Sequence, residues 1–248
     1  MKVSIITVCY NRINSIEKAI LSVLNQDYQN IEYIIIDGDS NDGTKKLLEK
    51  YKNQLSKFVS ESDNGMYDAI NKGLGLATGD IVGLMHSDDE FYNSNVISQI
   101  VKEFKKVTNI EAVYGDGVYV TNDEKEKLVR NRIGGEFSLK RVKNGWLPLH
   151  PTVYIKRATL NKYGFYNLDF KIASDTEFLL RYLYKHKIKT AYLNKYILKM
   201  KMGGFSTSKS RVLQVLKEDY QIYKFHKLFA LKSVVLKKMR AFTQYIIK

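Results

Sequence analysis

The chain is predicted to fold as an α/β layer with a mostly parallel central sheet, and three observations carry the prediction. The first is the near-continuous apolar, β-branched run "VSIITVC" from Val3 to Cys9, a strand covered on both faces. The second is the change of period after it, with Ile16, Ala19, Ile20, Val23 and Leu24 at helical spacing before "IEYIIID" at 31–37 returns to strand character. The third is that the cycle repeats: "KFVSE", "MYDAINKGLGLA" and "DIVGLM" read as strand, helix and strand. Alternation of this kind places ligands at the carboxyl ends of the strands.

Past residue 110 the pattern loosens. "EAVYGDGVYV" alternates like a strand of a mixed or antiparallel sheet, "TNDEKEK" reads as a charged turn, and 130–151 reads as irregular, holding Gly134, Gly135, Gly145 and both prolines. Helical stretches are predicted at 156–163 and 175–186, strands at "KTAYLN" and "YILKMKM", a glycine pair at Gly203-Gly204, and a long helical region to the C-terminus. These readings divide the chain into residues 1–110, 111–205 and a basic extension at 206–248.

With 248 residues and 44% hydrophobic content the chain can bury a core. Forty Lys and Arg against 26 Asp and Glu give a formal +14, which suits nucleic acid, an anionic membrane face or a phosphorylated ligand. The single cysteine, Cys9, excludes an internal disulfide and reads as a small buried hydrophobe. No basic n-region or cleavage site opens the chain, and no apolar run approaches the ~18 residues of a membrane span, so a cytoplasmic location is expected. Neither G-x-G-x-x-G nor a P-loop occurs, so a bound nucleotide would be held by carboxylates, backbone and metal.

Carboxylates recur at the predicted strand ends: Asp37 and Asp39, Asp63, then Asp88 and Asp89 in "GLMHSDDEFY". Singly, each suits a helix cap or turn. Together they converge on one cleft, where like charges call for a cation. Mg²⁺ or Mn²⁺ needs one or two protein carboxylates and completes its shell with diphosphate oxygens and water, which fits an enzyme using a nucleotide diphosphate.

At this point the sequence resembles a family 2 glycosyltransferase of GT-A fold, over roughly residues 2–205. The resemblance rests on "VCYNR" at 8–12, "DGDSNDGT" at 37–44, "NKGLGLATGD" at 71–80, "SDD" at 87–89 and "ASDTEFLLR" at 173–181, in that order. "SESDNGMYDAINKG" at 60–73 is similar to a subgroup associated with bacterial surface polysaccharide assembly, such as O-antigen or capsule. The resemblance implies that Val8, Tyr10 and Asn11 line the nucleotide, that Asp37 faces the base, and that Asp63 and Lys72 lie near nucleotide or diphosphate. It further implies Asp88 near ribose or sugar and Asp89 as the metal ligand. The sequence departs from the family pattern at Gly38, where a second Asp is usual, and at Asp39, where glycine is common; this leaves the identity of the base open.

Asp175 is the expected general base of an inverting transfer, removing a proton from the acceptor hydroxyl; Glu177 is the fallback. The competing reading is that Asp175 or Ser174 caps a helix. Trp146 and His150, in "GWLPLHPT", are assigned to the acceptor site because sugar C–H faces stack on rings; the competing role for Trp146 is as a cover of the core. Gly203-Gly204 suggests a closing loop, with Lys209 or Arg211 near phosphate.

The expected activity is therefore transfer of a sugar from a nucleotide-diphosphate donor, UDP first, to a polysaccharide or lipid-linked oligosaccharide hydroxyl. The alternatives are a non-catalytic sugar-nucleotide-binding subunit and a basic nucleic-acid-binding protein, the latter without any recognisable motif. After Asp219 no acid occurs, while lysines recur around Leu228, Leu231, Val235, Met239, Phe242 and Ile246. Such a basic amphipathic stretch at 220–248 suits either peripheral contact with the anionic inner face of the cytoplasmic membrane or packing on protein.

Overall fold

The computed structural model describes residues 1–123, 125–202 and 209–246, with side chains except at 209–210 and 241–246. Four parallel strands open the sheet: β1 (Val3–Cys9), β2 (Ile31–Asp37), β3 (Lys57–Ser60) and β4 (Ile81–Leu84) lie in the order β3-β2-β1-β4. Their crossovers are α1 (Ile16–Leu24), α2 (Thr44–Tyr51) and α3 (Met66–Leu76). Every residue of β1 is buried, as its unbroken apolar run requires when both faces are covered.

Alternation along the strands sorts two cores. Ile6, Val8, Ile34 and Ile36 face α3, where Tyr67, Ile70 and Leu74 meet them. Val3, Ile5, Tyr33 and Ile35 face the other way, onto Ile16, Ile20 and Val23 of α1, Leu47 and Leu48 of α2, and Ile97 and Ile100 of α4 (Val96–Lys106). Gly73 is what lets α3 lie so close to β1: a Cβ there would come within 2.5 Å of Ile6 Cγ2.

One buried acid ties this half together. Glu32 accepts hydrogen bonds from Lys2 Nζ at 2.8 Å, from Ser4 Oγ at 2.5 Å, and from Thr78 N and Oγ1 at 2.7 Å each. Burial alone would raise its carboxyl, but these donors outweigh it and hold it at about 2. Its stabilising contribution is thus complete above pH 4.5 and fades as pH falls toward 2. Glu32→Gln should cost on the order of 2–3 kcal/mol at pH 7 and much less at pH 2, checked by urea unfolding at both. An equal loss at both pH values would contradict this.

The sheet then turns mixed. β5 (Asp89–Phe91), β6 (Ala112–Val120), β7 (Leu128–Arg132), β8 (Tyr154–Lys156) and β9 (Thr190–Lys201) extend it as β4-β8-β6-β9-β5, with β7 antiparallel on β6. Three readings change here. The segment expected to be irregular contains β7 and the short helix α5 (Leu139–Lys143). The two strands expected at 189–202 are one strand, β9, paired in parallel to β6 with register shifts near Asp116. The helix predicted at 156–163 is α6 (Arg157–Tyr163), and the one predicted at 175–186 is α7 (Ser174–Leu180) continued by a wider π turn at Arg181–Lys185.

The C-terminal region is a helical hairpin, α8 (Lys209–Phe225) and α9 (Ala230–Ile246). One face of α9 packs on the domain: Ala230, Ser233 and Val234 are buried, and Ser233 Oγ donates to Lys143 O at 3.0 Å. Its other face leaves Leu231, Val235 and Met239 exposed, with Phe225 and Phe229 beside them. The glycine pair Gly203-Gly204 and the side chain of Lys209, expected at a closing loop, lie outside the described residues, as do the side chains of Phe242 and Ile246.

Candidate active site

A cavity of about 560 Å³ opens at the carboxyl ends of β1, β3 and β4, within the range of small-molecule sites. Its wall takes Val8, Tyr10 and Arg12 from the end of β1, Asp63 from beyond β3, His86, Ser87 and Asp88 from the turn between β4 and β5, and Asp89 from the start of β5. Tyr67 of α3, His150, Asp175 and Thr176 of α7 close it from the far side. Acids separated by more than a hundred residues thus share one cavity.

Asn11 sets the rim. It sits in the left-handed region (φ 53°), donates its backbone N–H to Ser40 Oγ at 2.8 Å, and accepts from Asn41 N at 3.0 Å, pinning the β1 turn to the loop after β2. Asn tolerates that backbone better than most residues, because its short amide bonds locally. Tyr10 beside it is exposed at the mouth. Asp37 is fully buried instead of lining the cavity: Ser40 N, Ser40 Oγ and Ser60 Oγ donate to it, so it builds the loop after β2. Lys72 also lies outside the wall. It pairs with Glu61 at 2.8 Å and donates to Ser62 O at 2.9 Å, behind the segment that carries Asp63.

The departure at 38–39 has a structural reason. A Cβ on Gly38 would come within 2.5 Å of Asp63 Oδ2, so the absent side chain makes room for a carboxylate from β3's end. Asp39 takes the left-handed conformation (φ 63°) that glycine otherwise serves. Gly38→Ala should push the Asp63 carboxylate aside and weaken nucleotide-diphosphate binding about five- to tenfold, the scale of one ordinary hydrogen bond. Unfolding should change by less than about 1 kcal/mol, because the displaced atom ends a side chain that can swing; calorimetry and thermal melts check both.

Asp89 is buried, at 6% exposure. Burial, then Asp88 and Glu90, hold its carboxyl well above the usual carboxylate range. Among the described residues no three His, Cys, Asp or Glu side chains cluster as a metal cage. The donor set nevertheless fits a divalent cation completed by diphosphate oxygens and water, and such a cation would offset the repulsion that Asp89 experiences.

Asp175 is half-buried in the second position of α7, after Ala173 at the N-cap. Its Oδ1 accepts from Thr176 N at 2.8 Å and lies 3.3 Å from Tyr67 Oη, while Tyr67 Oη accepts from Asp175 N at 3.3 Å. Burial and then Asp175 raise the Tyr67 phenol, which stays protonated, its one hydrogen placed between Ile172 O at 3.0 Å and Asp175 Oδ1 at 3.3 Å. Glu177, the fallback base, is committed elsewhere: it pairs with Arg181 at 3.1 Å and faces His226 at 3.5 Å, away from the cavity wall.

His86 and His150 lie with ring centroids 6.0 Å apart. Burial lowers His150 to about 3, with His86 adding to it, so it is neutral; its Nε2 is hydrogen-bonded to Tyr166 Oη. Burial also lowers His86, against the pull of Asp88 and Asp175. His86, Tyr67 and the cavity cations Arg12, Arg130, Arg132, Lys171, Lys201 and Lys237 were not singled out from sequence as site residues. Trp146, assigned to the acceptor site, is a core residue: it is 5% exposed, donates Nε1–H to Gly134 O at 3.1 Å, and is covered by Arg141 at 4.2 Å. Its ring faces are occupied and are not offered to a sugar. Cys9 is buried as expected, its thiol pushed up by burial and by Asp37.

Comparison with known proteins supplies the family for this fold and its acidic cavity. Residues 4–168 match the model of glycosyl transferase family 2, and the chain belongs to that family. It is 34% identical over 181 residues to an uncharacterised glycosyltransferase of Mycobacterium tuberculosis H37Rv, covering 72% of this chain and 68% of the relative. It is 31% identical over 171 residues to the Escherichia coli UDP-Glc:α-D-GlcNAc-diphosphoundecaprenol β-1,3-glucosyltransferase WfgD, covering 66% and 63%. The GT-A fold is shared with Staphylococcus aureus TarS in complex with UDP-GlcNAc, at TM-score 0.71 and 21% identity, over 90% of this chain and 65% of that one. It is also shared with the Pyrobaculum calidifontis mannosyltransferase PcManGT in complex with GDP-Man and Mn²⁺, at TM-score 0.65 and 16% identity, over 95% and 69%.

Proposed function

We propose that this glycosyltransferase is inverting and moves one sugar from a UDP-sugar to a hydroxyl of a polysaccharide or lipid-linked oligosaccharide. The observation that carries the proposal is that Asp89 and Asp175 line one cavity with room for substrate between them. Asp89, with Asp88 beside it, would hold Mn²⁺ or Mg²⁺, and the ion would supply positive charge where the leaving diphosphate becomes negative. Asp175 takes the proton of the attacking hydroxyl, and the Tyr67 phenol keeps its carboxylate aimed. Val8, Tyr10, Asn11 and Asp63 shape the nucleotide end, with Asp37 and Lys72 behind them; His150 faces the acceptor end. The name of WfgD supports UDP in the donor and a diphosphoundecaprenol-linked sugar as acceptor, and the UDP-GlcNAc bound to TarS supports UDP.

The test needs no acceptor. With Mn²⁺ and an α-linked UDP-sugar, slow hydrolysis should release the β-anomer first, seen by proton NMR before mutarotation. Initial release of the α-anomer would overturn inversion.

No helix among the described residues is long and apolar enough to cross a membrane. The exposed Phe225, Phe229, Leu231, Val235 and Met239 lie among Lys224, Lys227, Lys232 and Lys238, and we assign this face to peripheral contact with an anionic bilayer. The chain should co-sediment with phosphatidylglycerol vesicles and not with phosphatidylcholine ones, and Leu231→Ser with Val235→Ser should abolish this.

A further inference from the structure

The cavity wall carries a basic edge to which the donor and base assignments above give no role. Strand register locates it. Asp89 of β5 stands opposite Met200 of β9, Met200 opposite Tyr119 of β6, and Tyr119 opposite Arg130 of β7. Three strand spacings separate the backbone of the metal-ligand candidate from that of Arg130, about 14 Å. Arg132 is two residues on, on the same face of β7 as Arg130, and both line the cavity. Arg130 lies over the Tyr119 ring at 5.2 Å, and Arg132 donates to Leu147 O at 3.4 Å.

The third cation comes from the C-terminal hairpin. Lys237 of α9 donates to Asp219 Oδ1 at 2.7 Å and to Thr176 Oγ1 at 2.8 Å, reaching the cavity beside Asp175. An ammonium has three hydrogens, so one more acceptor can be served. Burial lowers the Arg132 guanidinium; Tyr119 opposes this, and the neighbouring Arg130 and Arg240 add to it, which places several cations at one edge of the cavity.

We propose that Arg130, Arg132 and Lys237 form an anion subsite that takes a phosphate group of the acceptor. The inference rests on the transferase reading above and specifies its acceptor. A guanidinium pair matches phosphate oxygens in two-pronged fashion, and the lysine adds a point charge. The subsite is on the acceptor side for two reasons. It is set across the sheet from Asp89, where the donor diphosphate belongs, and Lys237 is bonded to the residue that follows the base. A sugar whose hydroxyl meets Asp175 would carry its phosphate linkage into this edge. The same chemistry could serve the donor's own diphosphate, so the test separates the two.

The probe is phenyl phosphate, titrated into the full chain saturated with UDP and Mg²⁺ and followed by phosphorus NMR line broadening. Wild type should bind it. Arg130→Gln and Arg132→Gln should each weaken it at least tenfold while UDP affinity stays within twofold and thermal melts confirm folding. The proposal is overturned if phenyl phosphate does not bind once UDP is present, if both variants bind it like wild type, or if UDP affinity falls by the same factor. Failure of UDP itself to bind the wild type would instead count against the transferase reading.

Discussion

Asp175→Asn should lower kcat by about 10²- to 10⁴-fold, the usual contribution of a positioned general base, while UDP affinity changes less than twofold. The amide keeps an oxygen for Thr176 N and Tyr67, so the helix start persists and thermal unfolding should barely move. What disappears is the ability to accept a proton at the cavity wall. Glu177→Gln provides the contrast: this acid is 2% exposed and paired with Arg181, a half-buried guanidinium that also donates to the carbonyls of Tyr163, Gly164 and Phe165. Its replacement should cost about 1–3 kcal/mol of stability and leave kcat near wild type in the folded fraction. A kcat preserved in Asp175→Asn would remove that residue from the chemistry and return it to a purely structural role at the helix start.

Asp89→Asn should abolish the metal dependence of UDP binding and at the same time raise the melting temperature of the metal-free protein. The second effect follows from burial. With its carboxyl held above the usual range by desolvation, Asp88 and Glu90, the folded protein binds a proton more tightly than the unfolded chain does. Stability from this group is therefore full below the unfolded-state value and is lost as pH rises through the folded-state value, so ionising this buried carboxylate is a burden on the fold. The amide carries no such charge. Relief of each 1 kcal/mol corresponds to about 2–4 °C for a chain of this size, measured by calorimetry in chelator. With Mn²⁺ and UDP present the order should reverse, because only the wild type gains ligand stabilisation. A residue retained for packing alone would show a lower melting temperature on substitution and no reversal.

The parallel half of the fold and its carboxylates were legible because burial on both faces leaves long apolar runs, and parallel topology forces strand ends to one edge. Asp63, Asp88, Asp89 and Asp175 all reach the cavity from those predicted positions. The cations were not legible. Arg130 and Arg132 alternate with Asn131 in a short strand of mostly polar residues, where a period of two carries little hydrophobic contrast, so β7 read as irregular. Their signal was the alternation itself, cation at 130 and 132 facing one way while Asn131 bonds Tyr196 on the other. Lys237 could be found only in three dimensions, since nothing in a lysine-rich helix marks the one that turns inward to Asp219. Trp146 misled for a related reason: a loop tryptophan offers the same letters whether its faces are open or, as here, closed by Arg141, Tyr114 and Phe137.

The most direct test of the account is calorimetric titration of the wild-type chain with UDP, GDP and ADP, each with Mn²⁺ and with chelator. One nucleotide diphosphate, UDP, should bind with one site per chain, and chelator should weaken it at least tenfold. Binding of UDP with equal affinity in chelator, or no binding of any nucleotide diphosphate in Mn²⁺, would contradict the assignment of Asp89 and with it the catalytic account of the cavity.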